Sequence, residues 1–271
     1  MKDFVSKFSA FLQKDIKIAL TYKFNILMQI FGILFFFSLF FYALNDSNIS
    51  EVELNLTNQH YKLFKILIGI ALIDFMFSSM SVFSKEIRSA QTHGTFEALM
   101  LTNTSILTIL LSSYALTFAR SIFRILIYIL IGKIFFGVGI LYFDIPIFFT
   151  LLIYSSLPFI GVGLFAASFI ILFKVGNIIS FMVGLMSIFF SGIFFSIDSL
   201  PTYFEVMGNG LPLTMGLDAI EKVLLEGLGF NEILSELIQV FYWAIVFLPS
   251  GIFLVYYSLK AAKKNGSLNH Y

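Results

Sequence analysis

Three charged side chains fall inside apolar sequence, and chemistry would start from them: Asp74, Arg120 and Arg124. A charge at the centre of a membrane helix costs about 2.5–3.5 kcal/mol on insertion scales, so each needs a partner or a task. Arg120 and Arg124 stand one helical turn apart and share a face. Counted from the ends of their apolar runs at about 1.5 Å per residue, Asp74 and Arg120 lie at similar depth, within reach of an ion pair. The competing reading has Arg120 or Arg124 lining a route and meeting an anionic group, such as a lipid-linked pyrophosphate.

Other chemistries lack their residues. His60, His93 and His270 sit on separate connections or the tail, with no second ligand at metal spacing, so no metal site is expected. The chain has no Cys, which excludes disulfides, thiolate nucleophiles and Cys-held metals. A phosphate cradle of the form G-x-x-x-x-G-K-[ST] is absent: Gly132-Lys133 runs into Ile134, with Ile127 where the first glycine should stand. No set of nucleophile, base and orienting group converges, which argues against a membrane-embedded enzyme. Lys plus Arg number 17 against 16 Asp plus Glu, so there is no footprint for nucleic acid.

The elements that must position these charges follow from composition. Of 271 residues, 59% are hydrophobic and 12% charged, against roughly 45–50% and 25% in soluble domains. Mean hydropathy is +0.94. A soluble fold of this length could not hide so much apolar surface, and the expected class is an all-α integral membrane protein. Six runs have spanning length: residues 24–44, 63–83, 106–131, 147–173, 178–197 and 237–259, forming one membrane domain over 24–259. The first run is too long for a signal peptide and has no small-x-small cleavage site after it. Before it, over residues 1–23, Val5, Phe8, Leu12, Ile16 and Ala19 recur at helical spacing, with Lys2, Lys7, Lys14 and Lys17 mostly on other faces. That pattern predicts an amphipathic helix lying among lipid headgroups.

Basic residues set the orientation. Lys2, Lys7, Lys14, Lys17 and Lys23, then Lys85 and Arg88, then Lys174, then Lys260, Lys263 and Lys264 in the 260–271 tail all fall on one side, and the opposite connections collect most of the acids. The positive-inside rule makes the first side cytoplasmic, with both termini there and the chain multi-pass in the cell membrane. Two connections, residues 84–105 and 198–236, are too long for simple turns and carry helical patterning. Function is expected in them.

In the first, a charged helical stretch with Lys85, Glu86 and Arg88 meets Gly94, which can break it, and Phe96, Leu99 and Met100 then give a short helix an apolar face. The run Gly94-Thr95-Phe96-Glu97-Ala98-Leu99-Met100-Leu101-Thr102-Asn103-Thr104-Ser105 resembles the cytoplasmic segment E-x-x-x-G-T-x-E-x-L-x-x-T-P-x-S of ABC-2 type transporter permeases. Gly94, Thr95, Glu97, Leu99, Thr102 and Ser105 match it, and Asn103 replaces Pro in a position where Asn still favours a turn. In the second, Ser191-Gly192-Ile193-Phe194-Phe195-Ser196-Ile197-Asp198-Ser199-Leu200-Pro201 and Leu211-Pro212-Leu213-Thr214 are similar to the family's S-G-x-F-F-P-x-x-x-L-P and x-P-L-T, with Ser196 in place of Pro. Pro201 and Pro212, with Gly208 and Gly210, interrupt any continuous helix, while Leu217, Ile220, Val223 and Leu224 give the next one an apolar stripe.

The resemblance implies a permease subunit of an ATP-driven exporter, acting with two copies of a separate nucleotide-binding ATPase subunit and a second permease chain, the same or different. ATP and magnesium would be bound in the ATPase and no cofactor by this chain. The helix of the first connection would be the coupling helix between spans two and three, through Glu86, Arg88, Gly94, Thr95, Glu97 and Leu99. The second connection would form an outer re-entrant helical pair between spans five and six, around Pro201, Leu211, Pro212, Leu213 and Thr214. Spans one, two and five would line the route for an amphipathic or lipid-linked cargo. The rival reading, an ion-coupled secondary transporter, would need Asp74 with Arg120 as a relay near the midplane.

Overall fold

In a computed structural model the described residues are 56–102, 104–136, 142, 144–174, 178–194, 197 and 201–264, with further helical positions between 9 and 42. The expected interface helix over 1–23 and first span over 24–44 lie largely outside the described residues, as do the tail beyond 264 and Asn103. Among the described residues from 56 onward, eight α-helices follow in order: α1 Leu56–Thr92, α2 Phe96–Leu101, α3 Ile106–Phe136, α4 Ile145–Phe173, α5 Ile178–Phe190, α6 Thr202–Asn209, α7 Pro212–Glu221 and α8 Leu234–Lys264, with a π-helical turn at Lys222–Glu226. There is no strand among the described residues.

Among the described residues, four helices are long and apolar enough to cross a bilayer, over Leu63–Thr92, Ile106–Ile134, Ile145–Phe173 and Leu234–Lys264. They coincide with the second, third, fourth and sixth expected spans, and their helices run past the apolar limits. The largest extension is in α1, which continues nine residues beyond Phe83 to Thr92, because Lys85, Glu86 and Arg88 suit a helix as well as the apolar residues before them. The fifth expected span needs correction. Residues 178–197 do not form one helix: α5 ends at Phe190 after 13 residues, short of the roughly 20 a crossing needs. The reason is local, since Gly192 adopts φ 73°, a left-handed conformation that leaves the helix at the Ser191-Gly192 step.

The bundle is held by close crossings at small residues. A Cβ on Gly161 of α4 would fall 2.5 Å from the Phe247 carbonyl carbon of α8, and one on Gly251 would fall 2.7 Å from the Gly161 carbonyl oxygen. Gly163 meets α1 in the same way, 2.7 Å from the Met80 carbonyl oxygen. Lipid is as apolar as Leu, so helices in it associate through such backbone approach rather than by hydrophobic exclusion. Around these crossings lie two apolar clusters: Phe64, Phe75, Met76 and Leu152 with α7 toward one end, and Phe83, Ile87, Phe96 and Ile171 toward the other.

Candidate functional site

The end of α1 is closed by its own backbone. The Gly94 N–H donates to the Gln91 carbonyl at 3.0 Å and the Thr95 N–H to the Ala90 carbonyl at 2.9 Å, with Gly94 at φ 67°. These are the two bonds and the left-handed residue of a Schellman stop. Thr95 adds a hydroxyl bond to the same Ala90 carbonyl. The turn launches α2, whose Phe96 is 1% exposed and set in the second cluster, with Leu99 and Met100 packed beside it. Glu97 and Arg88 are exposed and Glu86 half-buried. The segment is thus an anchored, angled knob: its aromatic root is fixed in the bundle while its acid faces outward.

In the middle of the bundle the charges meet, though not in the expected pairing. The Arg124 Nε donates to the Asp74 Oδ2 at 2.6 Å, and its Nη2 donates to the hydroxyls of Ser78 and Ser121. Asp74 stands 18 residues before the end of α1 at Thr92, and Arg124 stands 18 residues after the start of α3 at Ile106. Antiparallel helices joined at that end therefore put the two at one level. Counting inward from the apolar limits at Leu63 and Ile131 instead puts Asp74 level with Arg120, one turn too early, because α3 runs on past Ile131 to Phe136. Arg120 is exposed, its Nη2 donating to the Thr117 hydroxyl at 3.4 Å.

At the opposite end from α2, α6 and α7 form a helical pair joined at Gly210. Pro201 caps α6, Leu211 is extended ahead of α7, and Pro212 takes its first position, where a missing N–H costs nothing. Leu213 and Thr214 are 2% and 1% exposed. The Thr214 hydroxyl donates to the Gly208 carbonyl at 2.7 Å, binding α7 to α6, and the Trp243 Nε1 of α8 donates to the Gly210 carbonyl at 2.7 Å. Gly227 ends the π turn at φ 69°, its α-carbon against the Tyr142 ring, and the Tyr142 N–H donates to the Leu224 carbonyl.

Charges missed by the sequence reading lock this pair in place. The Lys65 Nζ of α1 donates to the Glu221 Oε2 at 3.2 Å, and the Lys222 Nζ donates to Glu236 of α8. Burial pushes the Asp218 carboxyl above its ordinary range, against the opposing pull of Lys65 and Lys222. The hydrogen bond to Glu236 holds the Lys222 ammonium above its usual value. The available signal was Lys65 just inside an apolar run and Glu221 in the continuation of an apolar stripe.

The site therefore has two poles and a charged waist, and it holds no group of three or more His, Asp or Glu suited to a metal among the described residues. No curated protein matches the chain. The family model described as ABC-2 type transporter matches residues 7–225, a stretch that contains α2, the Asp74–Arg124 pair and the α6–α7 pair. A match over most of the sequence, on a bundle of apolar helices with both expected connections, places the chain in the ABC-2 type transporter family as a multi-pass membrane permease component.

Proposed function

We propose that this chain is the permease of an ATP-driven exporter, acting as a pair of permease chains on two copies of a separate ATPase subunit that binds ATP and magnesium. The observation that carries the reading is the α1–α2 corner. Phe96 is rooted in the bundle while Glu97 is exposed beyond the Gly94 stop. A rigid corner of this kind passes a push from an attached subunit into α1 without bending, because its backbone bonds are satisfied internally. The α1–α2 end faces the cytoplasm of the cell membrane together with both termini, as the lysine distribution requires. The α6–α7 pair closes the outer mouth. The cargo is amphipathic or lipid-linked, since the helices offer few polar residues to a hydrated channel.

The absence of native cysteine makes the test direct. Glu97→Cys should crosslink to the ATP-binding subunit and resist a membrane-impermeant maleimide added from outside. Tyr203→Cys, at a side chain 87% exposed on α6, should label from outside and give no such crosslink. Outside labelling at position 97, or ATP-independent transport driven by a proton or sodium gradient, would overturn the reading.

A further inference from the structure

Helices α4 and α8 touch where Gly161 meets the backbone of Phe247. About two turns earlier on each helix, Tyr154 and Phe241 face each other with ring centroids 6.4 Å apart. The two helices thus meet through glycine at one level and are separated by aromatic rings at the next, which leaves a hollow beside the rings. A cavity of about 180 Å³ lies there, lined by Tyr154 of α4, Phe230 of the turn before α8, and Leu234, Leu237, Ile238 and Phe241 of α8. Its floor, Leu237, is 4% exposed and belongs to the first apolar cluster. The turn that carries Phe230 is fixed by the Gly229 N–H, which donates to the Glu232 carboxylate at 2.8 Å. The walls are anchored on every side, so the hollow is preformed.

Phe230, Leu234, Ile238 and Phe241 are each between 41% and 46% exposed, so the cavity opens outward. The face of α8 that continues from it, through Tyr242, Ile245 and Val246, is also exposed, and in a membrane protein such a face meets hydrocarbon chains. Cavities of about 150 Å³ lined by Leu, Ile and Phe admit a guest of the size of benzene, so this one has room for a stretch of alkyl chain. From Leu234 to Phe241 it descends about 10 Å, which stays within the roughly 15 Å of hydrocarbon that one leaflet contributes.

We infer that this hollow binds one acyl chain of a resident phospholipid, in the leaflet on the α6–α7 side. It lies on α4 and α8, away from the spans read as lining the route, which assigns it to a resident lipid and not to cargo. Lipid is as apolar as these walls, so no hydrophobic gain selects the guest. Selection comes from the dispersion contacts that an empty or badly filled cavity forfeits. The site therefore discriminates by the shape of the chain and not by its headgroup. Only the naming of its leaflet as the outer one rests on the permease reading.

The test uses the full chain in nanodiscs of straight-chain phosphatidylcholine, with a trace of the same lipid carrying a diazirine in mid-chain. After illumination, mass spectrometry of the peptides should find the probe on the lining residues at least about fivefold more often than at Leu126 and Leu130, exposed residues of α3 at similar depth from the same end. Ile238→Trp fills the cavity's mouth and should cut that labelling about tenfold, while Ile245→Trp, on the same face but outside the lining, should leave it unchanged. Phe241→Ala enlarges the hollow and should shift its preference toward a branched-chain probe, a second readout should the tryptophan variant fail to fold. Labelling no stronger at the cavity than at Leu126 and Leu130, as follows if a second copy of the chain fills the hollow, overturns the site, as does full labelling of folded Ile238→Trp.

With an ATPase subunit bound, labelling should be the same at rest and during ATP turnover. Labelling that falls during turnover overturns the assignment to a resident lipid and gives the cavity to a transported amphiphile. A chain labelled as described that associates with no ATPase leaves the site standing and refutes the permease reading instead.

Discussion

Replacing Lys65 by Met should detach the α6–α7 pair from α1, and the size of the effect can be worked from exposure. The carboxylate left behind, Glu221, has a side chain 6% exposed, whereas Lys65 is 31% exposed. Stranding one member of a fully buried pair costs about 3–5 kcal/mol, and losing a surface pair about 0–1 kcal/mol. Here one partner touches water and the other does not, so the expected loss lies between, about 2 kcal/mol, or about 4–8 °C in unfolding temperature. Most of it is the penalty of a buried carboxylate that has lost its lysine, so adding Glu221→Gln should restore the greater part. The chain's single tryptophan is a ready reporter. Trp243 donates its Nε1–H to Gly210 in the turn between α6 and α7, so its emission should shift red as the pair loosens, ahead of global unfolding. If Lys65→Met stays within about 0.5 kcal/mol of wild type and Glu221→Gln rescues nothing, the contact is an incidental surface pair and the locking argument fails.

Asp74→Asn should destabilise the bundle by about 2 kcal/mol by taking the counter-charge from the Arg124 guanidinium, and the exchange Asp74→Arg with Arg124→Asp should recover folding where Asp74→Arg with Arg120→Asp does not; size-exclusion profiles in detergent would separate the two. Asp218 keeps its proton to higher pH in the folded chain than in the unfolded one. The folded state then binds more protons between the two values, and stability should rise as pH falls toward the ordinary carboxylate range. Asp218→Asn should remove that slope from a series of thermal unfolding curves. Gly161→Leu should abolish accumulation of folded chain, since even a Cβ there meets backbone of Phe247 that cannot yield. Gly32→Ala, with nothing within 4 Å of its Cβ position, should express normally.

What was legible in the sequence was what is encoded locally. Gly94 could be read as a helix stop because the Schellman turn is satisfied by residues 90 to 95. Pro201 and Pro212 marked the starts of α6 and α7 because proline fixes its own φ and lacks an N–H. The interruption at Ser191-Gly192 is also present in the sequence, but the apolar run through Ile197 masks it. Hydropathy is blind to backbone handedness, and only the φ of Gly192 ends α5. Asp74 reads as an ion-pair member in the sequence, but its apparent partner there, Arg120, lies one turn from the true one, Arg124. Apolar limits do not fix where a helix ends when charged residues extend it. The Lys65–Glu221 pair joins residues 156 apart, a proximity that exists only after α7 has folded back against α1.

If the α1–α2 corner receives the stroke of an ATP-hydrolysing subunit, that subunit should travel with the chain. The most direct measurement is to express the tagged chain with its chromosomal neighbours, purify it in mild detergent and ask what accompanies it. An ATPase subunit should come with the wild type in equal amount. It should be lost, or should hydrolyse ATP without driving transport, when Glu97→Lys and Gly94→Val alter the corner while Phe96 stays seated. A chain that purifies alone, or one whose association and coupling survive both substitutions unchanged, would contradict the account.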